Sequence, residues 1–150
     1  MFPIAVALHN GEEAIWMPRW GANHAGQLPV HPGAVEIRTA LAVLTVAALA
    51  LTFLSARKGP QSVWAYLLFG YVVAMLANVL VPHVPATILF RAYAPGVVTA
   101  VAINLPVMGW LAWRAVTERW VSGSKAVAFG IGVPVGMGGV IFGFFAWASR

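Results

Sequence analysis

Long apolar runs alternate with short polar segments along this chain. Four of the runs hold 20 residues or more, and about 20 helical residues cross a hydrocarbon core of roughly 30 Å. Because every backbone polar group must be satisfied within lipid, the runs predict helices rather than open strands. The four predicted helices cover roughly residues 34–56, 62–81, 96–116 and 124–147.

A fifth apolar segment, roughly residues 3–17, ends at Pro18. It is short for a full span, which predicts a helix that is tilted or partly re-entrant. We expect it to be retained rather than cleaved, because it has no basic n-region and His9, Glu12 and Glu13 interrupt it. The predicted fold is therefore an all-α, polytopic transmembrane bundle of five helices in a single domain, residues 1–150.

Composition supports a membrane protein. Hydrophobic residues make up 61% of the chain and charged residues 9%, with a mean hydropathy of +0.83, whereas soluble domains carry about 25% charged residues. So few charges cannot cover a surface that faces water, so we expect the lipid bilayer to be the main partner. The absence of cysteine excludes disulfides and thiolate metal sites.

The net charge of +5 does not indicate nucleic-acid binding. The nine lysines and arginines are scattered at the ends of the apolar segments, where basic residues anchor helices to lipid headgroups. We therefore expect no nucleic-acid partner.

The last predicted helix is rich in glycine. Gly132 with Gly136, and Gly139 with Gly143, have the small-xxx-small spacing that lets two helix backbones approach closely. Two interpretations remain open: a homodimer face, or packing against another helix of the same chain.

Three ionisable residues interrupt the first apolar segment. His9 stands three residues before Glu12 and four before Glu13, so the three share one face of a helix. An acidic group at the centre of a membrane helix costs about 2.5–3.5 kcal/mol. Such groups persist when they pair with one another, with a cation or with water in a cavity, and the neighbouring Asn10 adds a hydrogen-bonding group.

Other polar residues fall at similar predicted depths. Counted from the nearest helix-ending or helix-starting proline, Glu13 and Asn78 lie ~6–7 Å inside the bundle, and His9 and Asn104 ~13 Å inside. If the helices alternate in direction, these residues and His83 all lie toward the same side. We expect them to line one polar pocket, although Asn104 alone has the alternative role of capping carbonyls freed by a nearby proline.

The loop above this predicted pocket carries Arg91 and Tyr93. Two interpretations fit them equally: gating of the pocket or binding of an anionic headgroup, and simple interfacial anchoring. His24 and His31 are interpreted as ordinary interfacial loop residues.

The motifs resemble those of the HXXEE family of small bacterial integral membrane proteins. The resemblance covers most of the chain and implies a small bundle in the bacterial inner membrane, with no established activity. It rests on His9-Asn10-Gly11-Glu12-Glu13 with Trp16, Pro18 and Trp20, and downstream on Asn78, Pro82-His83, Arg91-x-Tyr93-x-Pro95-Gly96-x-x-Thr99 and Asn104-x-Pro106.

The first functional hypothesis is a metal-dependent membrane enzyme. His9, Glu12, Glu13 and His83 offer imidazole and carboxylate ligands for Zn²⁺, Fe²⁺ or Mn²⁺. Either glutamate would serve as general base in hydrolysis or oxidation of a lipophilic small molecule. The same pocket would place Asn78, Arg91, Tyr93 and Asn104 near the substrate.

The same residues also suit hypotheses that need no metal. Two neighbouring carboxyl groups cannot both ionise easily, so one would keep a proton and act as an acid. CAAX-type intramembrane endopeptidases also have paired glutamates, but there an arginine follows the pair after three residues, whereas Arg19 follows Glu13 after five. A proton or ion pathway, a lipid or small-ligand binder and a purely structural polar network remain open as well.

Overall fold

A computed structural model of the chain describes residues 1–149, and these residues form five long helices and no β-strand. The predicted all-α bundle is confirmed. Helices α2 to α5 are each long and apolar enough to cross a membrane, so the chain is a membrane protein. The helices are α1 Phe2–Asn23, α2 Ala34–Lys58, α3 Val63–Phe90, α4 Val97–Thr117 and α5 Gly123–Ala148.

The first helix is longer than the sequence predicts. α1 has 22 residues, a length of about 33 Å, and the predicted boundary at Pro18 is corrected to Asn23. Pro18 has no N–H for the carbonyl of Ala14, four residues earlier. Arg38 of α2 supplies a donor instead, with its Nε 3.2 Å from the Ala14 carbonyl oxygen. α1 therefore continues past the proline.

Both α3 and α4 contain one irregular turn. In α3 the residues Val79–His83 form a π-helical turn in which Val81 is extended (φ −148°, ψ 114°), because Pro82 cannot donate the regular hydrogen bond. The helix bends there and resumes to Phe90 instead of ending. In α4 the residues Ala100–Asn104 form a second π-helical turn.

α3 lies at the centre of the bundle and packs against α2, α4 and α5, while α1 packs against α2 and α4. In the core the ring of Tyr71 meets Phe2 edge to face, with centroids 5.3 Å apart. The Tyr71 hydroxyl donates to the Leu44 carbonyl at 2.9 Å. Val6 and Met108 are fully buried in the same core. α1 is thus an integral part of the bundle.

α5 lies at the periphery, and none of its described residues is buried. It approaches α3 at Gly70, where a Cβ would lie 2.6 Å from the carbonyl oxygen of Phe129 and 2.6 Å from Val133. Packing within the chain therefore depends on Gly70. The predicted small-xxx-small positions are open instead: a Cβ would meet no atom within 4 Å at Gly132, Gly136, Gly139 or Gly143.

The loops gather at two ends of the bundle. At what we call the distal end, the α2–α3 and α4–α5 loops meet, and the Gln61 N–H donates to the Trp120 carbonyl at 2.8 Å. At the opposite end, the His31 N–H donates to the Ser149 hydroxyl at 2.9 Å. A cavity of about 320 Å³ lies toward the distal end. Its lining includes Phe2, Ser55, Leu68, Trp110, Arg114 and Trp120.

Candidate functional site

Two side chains of α1 form one wall of a buried polar cluster. His9 and Glu13 lie one helical turn apart, so they share a face of α1. Their exposed fractions are 0% and 7%. The Nε2 atom of His9 and the Oε1 atom of Glu13 are 3.8 Å apart. An imidazole and a carboxylate therefore meet inside the bundle.

The bend of α3 forms the opposite wall. Asn78 precedes the π-helical turn and His83 ends it, and such turns are frequent at functional sites. His83 is buried, and its Nε2 lies 3.3 Å from Glu13 Oε1. The rings of His9 and His83 meet edge to face with centroids 4.9 Å apart. The bend at Pro82 thus brings His83 against α1.

The two histidines and Glu13 have the geometry of a candidate metal site. Each offers one ligand atom, and the three atoms all lie within 4.8 Å of one another. Two imidazole nitrogens and one carboxylate oxygen suit Zn²⁺ or Fe²⁺. Ligands of a tetrahedral zinc ion are about 3.3 Å apart, and the carboxylate lies 3.3 and 3.8 Å from the two imidazoles. The residues present fit such an ion.

Asn78 determines which ring nitrogen of each imidazole carries the lone pair. Its amide nitrogen lies 3.0 Å from Nε2 of His9 and 3.0 Å from Nε2 of His83. An amide nitrogen only donates, so each Nε2 accepts and carries a lone pair. Three lone-pair atoms, the two Nε2 atoms and Glu13 Oε1, therefore converge. A cation bound among them would take the place of the Asn78 N–H groups on both Nε2 lone pairs.

Gly96, in the loop between α3 and α4, covers the cluster. It has φ +88°, and a Cβ at this position would lie 2.6 Å from His83 Cε1, 3.0 Å from Glu13 Cγ and 3.0 Å from His9 Cε1. Only glycine combines this backbone conformation with so close an approach. The main chain at Gly96 thus packs directly on all three candidate ligands.

Glu12 faces away from the three ligand atoms. Its Oε1 accepts hydrogen bonds from the Tyr93 hydroxyl and from the Gly96 N–H at 3.1 Å. Its Oε2 accepts from the Thr99 N–H at 2.9 Å and from the Thr99 hydroxyl at 2.6 Å. Partial burial and the bond to Glu12 raise the pKa of Tyr93 to about 12, so Tyr93 keeps its proton and remains the donor.

Thr99 joins Glu12 to the histidines. Its Oγ1 lies 3.0 Å from Nδ1 of His9, the ring nitrogen opposite the cluster. The hydroxyl therefore stands between the Glu12 carboxylate and the His9 imidazole. A continuous hydrogen-bonded chain runs from Tyr93 through Glu12 and Thr99 to His9.

A family model described as a protein of unknown function with HXXEE motif matches residues 1–111. The chain belongs to the HXXEE family. The matched region contains the whole cluster and ends before α5. The residues that carry the family's motif, His9, Glu12 and Glu13, thus all belong to the cluster of this chain.

A similar protein of known sequence is found in a bacterium. The uncharacterized protein YrkK of Bacillus subtilis (strain 168) is 36% identical over 109 residues, which are 71% of this chain and 66% of the relative. The match therefore spans just under two thirds of that protein's length. No solved structure matches the chain.

The structure brings together most of the residues that the sequence singles out in this HXXEE protein. Arg91 is exposed, and its guanidinium makes no hydrogen bond or ion pair within residues 1–149. Asn104 is fully buried, but neither atom of its amide has a hydrogen-bond partner there, so the predicted capping of carbonyls is not seen. The cluster contains His9, Glu12, Glu13, Asn78, His83 and Tyr93.

The predicted depths pair the residues differently from the structure. They place His9 level with Asn104, but His9 contacts Asn78 and Thr99. The reason is that neither Pro18 nor Pro82 is a helix end: α1 continues to Asn23 and α3 to Phe90, so depths counted from these prolines do not apply. The actual depth of His9 follows from packing against α3 and α4.

Thr99 and Gly96 have no role that the sequence alone predicts. Both belong to the motif Arg91-x-Tyr93-x-Pro95-Gly96-x-x-Thr99, which is the available signal. A glycine three residues before a threonine is common, so their contacts with His9 and Glu12 become visible only in the folded chain.

One polar residue of the motif is structural. Asn10 donates to the Leu41 carbonyl at 3.1 Å and to the Thr45 hydroxyl at 2.8 Å, which ties α1 to α2. It lies on another face of α1 from His9 and Glu13. Asn10 thus makes a polar contact between α1 and α2 that is separate from the cluster.

Proposed function

We propose that this HXXEE protein is a metal-dependent membrane enzyme that holds Zn, Fe or Mn with His9, Glu13 and His83. The observation that carries the proposal is the convergence of three lone-pair atoms within 4.8 Å of one another in a buried site. Placing these groups in an apolar bundle is costly unless their charge is neutralised. A divalent cation would neutralise it.

The chemistry follows from this ligand set. A bound divalent ion would supply an activated water for hydrolysis or, as Fe²⁺, would activate dioxygen as the oxidant of the substrate. Three protein ligands leave one position open for water or substrate. Glu13 would hold the ion through Oε1, and its other oxygen, Oε2, would accept a proton, because both oxygens of Glu12 already accept hydrogen bonds.

The proposed substrate is a lipophilic small molecule that enters from the lipid. At the bend of α3 the apolar side chains of Leu80 and Val81 are 64% and 70% exposed, and in a bilayer such side chains contact acyl chains. The distal cavity is lined by none of the cluster residues, so it does not serve this site. The proposed location is the bacterial plasma membrane, in agreement with the bacterial relative.

We also propose that α5 joins two copies of the chain. The open positions Gly132, Gly136, Gly139 and Gly143 support this, since nothing in residues 1–149 fills the space beside them. Small residues at this spacing allow close helix contact in membranes.

The test is the metal content of detergent-purified protein. We expect about one Zn, Fe or Mn per chain in the wild type, and loss of the metal in His9→Ala, His83→Ala and Glu13→Gln. Glu13→Gln keeps the side-chain shape but is a poor ligand, so it separates metal loss from unfolding. His31→Ala is the matched control, because His31 is exposed and outside the cluster.

Equal metal in wild type and variants, or none after loading with each ion, would refute the metal site. Catalysis is tested by incubating metal-loaded protein in nanodiscs with a lipid extract and detecting products by mass spectrometry. Ion flux into proteoliposomes without any product would favour a proton or ion pathway instead.

A further inference from the structure

Glu12 lies outside the three candidate ligands, yet four hydrogen bonds converge on its carboxylate. They come from Tyr93, from the main chain of Gly96 and from both the main chain and the side chain of Thr99. A carboxylate so fully engaged is not available as a ligand. Its contacts point instead to a role that acts through Thr99.

The position of one hydrogen decides that role. The Thr99 hydroxyl has a single hydrogen, and its oxygen lies 2.6 Å from Glu12 Oε2 and 3.2 Å from the Gly96 carbonyl oxygen. Both of these oxygens only accept. The hydroxyl hydrogen therefore points to one of them, and the closer, charged carboxylate is favoured. Toward His9, at 3.0 Å, the hydroxyl oxygen must accept.

His9 consequently carries its hydrogen on Nδ1 and its lone pair on Nε2. Asn78 gives the same result independently, because its amide nitrogen needs an acceptor at His9 Nε2. Two contacts on opposite sides of one ring thus select the same tautomer. Metal-ligating histidines typically donate their second N–H to a carboxylate, a carbonyl or a water that fixes the ring.

We propose that Glu12 is the positioning residue of the centre: through the hydroxyl of Thr99 it holds His9 with the Nε2 lone pair directed at the metal. This inference rests on the proposed metal site. The same carboxylate also binds Tyr93 and the N–H of Gly96, so it keeps the covering loop against the imidazole rings.

The first measurement needs no metal. Nitrogen-15 spectra of the metal-free protein, with the His9 signals identified from a His9→Gln sample, report which ring nitrogen is protonated. We expect the Nδ1–H form in the wild type and a smaller share of that form in Thr99→Val, which keeps the shape of threonine but leaves only Asn78 to select the tautomer. Thr99→Ser should restore the wild-type tautomer.

The second measurement uses Co²⁺ as a visible probe and Zn²⁺ as its competitor. Thr99→Val should lower the affinity for metal about 10–100-fold, as loss of a partner that orients a ligand does, and should shift the Co²⁺ absorption bands. Thr99→Ser should resemble the wild type. Thr52→Val is the matched control, because the Thr52 hydroxyl donates at 2.7 Å to the Ala48 carbonyl of its own helix.

The outcomes separate the two proposals. If the wild type binds metal and Thr99→Val has the same tautomer, affinity and spectrum, the positioning role is refuted and the metal site stands. If Thr52→Val loses as much affinity as Thr99→Val, the effect is general destabilisation and the positioning role is refuted. If the wild type binds neither Co²⁺ nor Zn²⁺, the metal site itself is refuted.

Discussion

At the residue scale, two adjacent glutamates have different environments. Neighbouring positions on a helix point about 100° apart, as 3.6 residues per turn requires. Glu13 therefore faces the histidines of the cluster, and Glu12 faces Tyr93 and Thr99. The motif predicts the pair, but the division of roles depends on which helix or loop lies against each face.

Gly96 is the residue where we expect the sharpest local effect. Gly96→Ala adds a Cβ 2.6 Å from His83 Cε1 in a backbone with φ +88°. The left-handed conformation costs a non-glycine residue about 1–2 kcal/mol, and the crowding displaces the rings. We expect lower thermal stability and roughly a tenfold or greater loss of metal affinity, measured by melting and by Zn²⁺ competition.

Gly123→Ala is the control for the backbone term. Gly123 also has a positive φ, +63°, but a Cβ there meets nothing within 4 Å. It should lower stability by the backbone term alone, about 1–2 kcal/mol, and leave metal affinity unchanged. Equal metal affinity in Gly96→Ala and the wild type would show that the contact with the rings is unimportant.

At the element scale, Pro18 and Pro82 lie inside helices that the sequence predicts to end there. Arg38 satisfies the carbonyl left by Pro18, and α1 continues. Pro82 produces a π-helical turn, and α3 resumes beyond it. A proline in sequence indicates a missing donor. Whether the helix ends or bends depends on what replaces that donor, which the local sequence does not contain.

The contact between α3 and α5 can be tested by substitution at Gly70. Gly70→Leu places side-chain atoms where Phe129 and Val133 already lie. Overpacking of this kind costs about 1–3 kcal/mol, so we expect a lower free energy of unfolding. The measurement is unfolding of the detergent-solubilised protein by SDS titration.

Gly136→Leu is the matched substitution on the open face of α5. Because no atom lies within 4 Å of its Cβ position, the stability of the single chain should be unchanged. Sedimentation should show fewer dimers if α5 joins two copies. Loss of stability equal to that of Gly70→Leu would contradict the packing described here.

At the scale of the whole molecule, the polar cluster and the cavity lie toward opposite ends of the bundle. The cluster lies at one end with the α3–α4 loop, and the apolar cavity lies toward the distal end, where Gln61 meets Trp120. The two are therefore independent features of one bundle. Because successive helices run in opposite directions, the loop at the cluster and the loops at the distal end are expected on opposite sides of the membrane.

Cysteine labelling tests that arrangement directly, since the chain has no cysteine of its own. Single cysteines at the exposed positions Gln27 and Ala92 should react with an impermeant maleimide from one side of the membrane. A cysteine at Lys58, exposed near the distal end, should react only from the other side.

Ala48→Cys is the control, because Ala48 is fully buried and should stay unlabelled until the protein is denatured. Labelling of Ala92→Cys and Lys58→Cys from the same side would contradict the crossing of α3.

The sequence by itself determined the class of the protein and the number of its helices. Low charge and long apolar runs leave only helices that satisfy their own backbone in lipid. It also placed His9, Glu12 and Glu13 on one helix, because the helical repeat is local. Tertiary structure alone decided that His83, Gly96 and Thr99 meet them. Those contacts join segments about 70 to 90 residues apart, and they depend on where helices bend and how they pack.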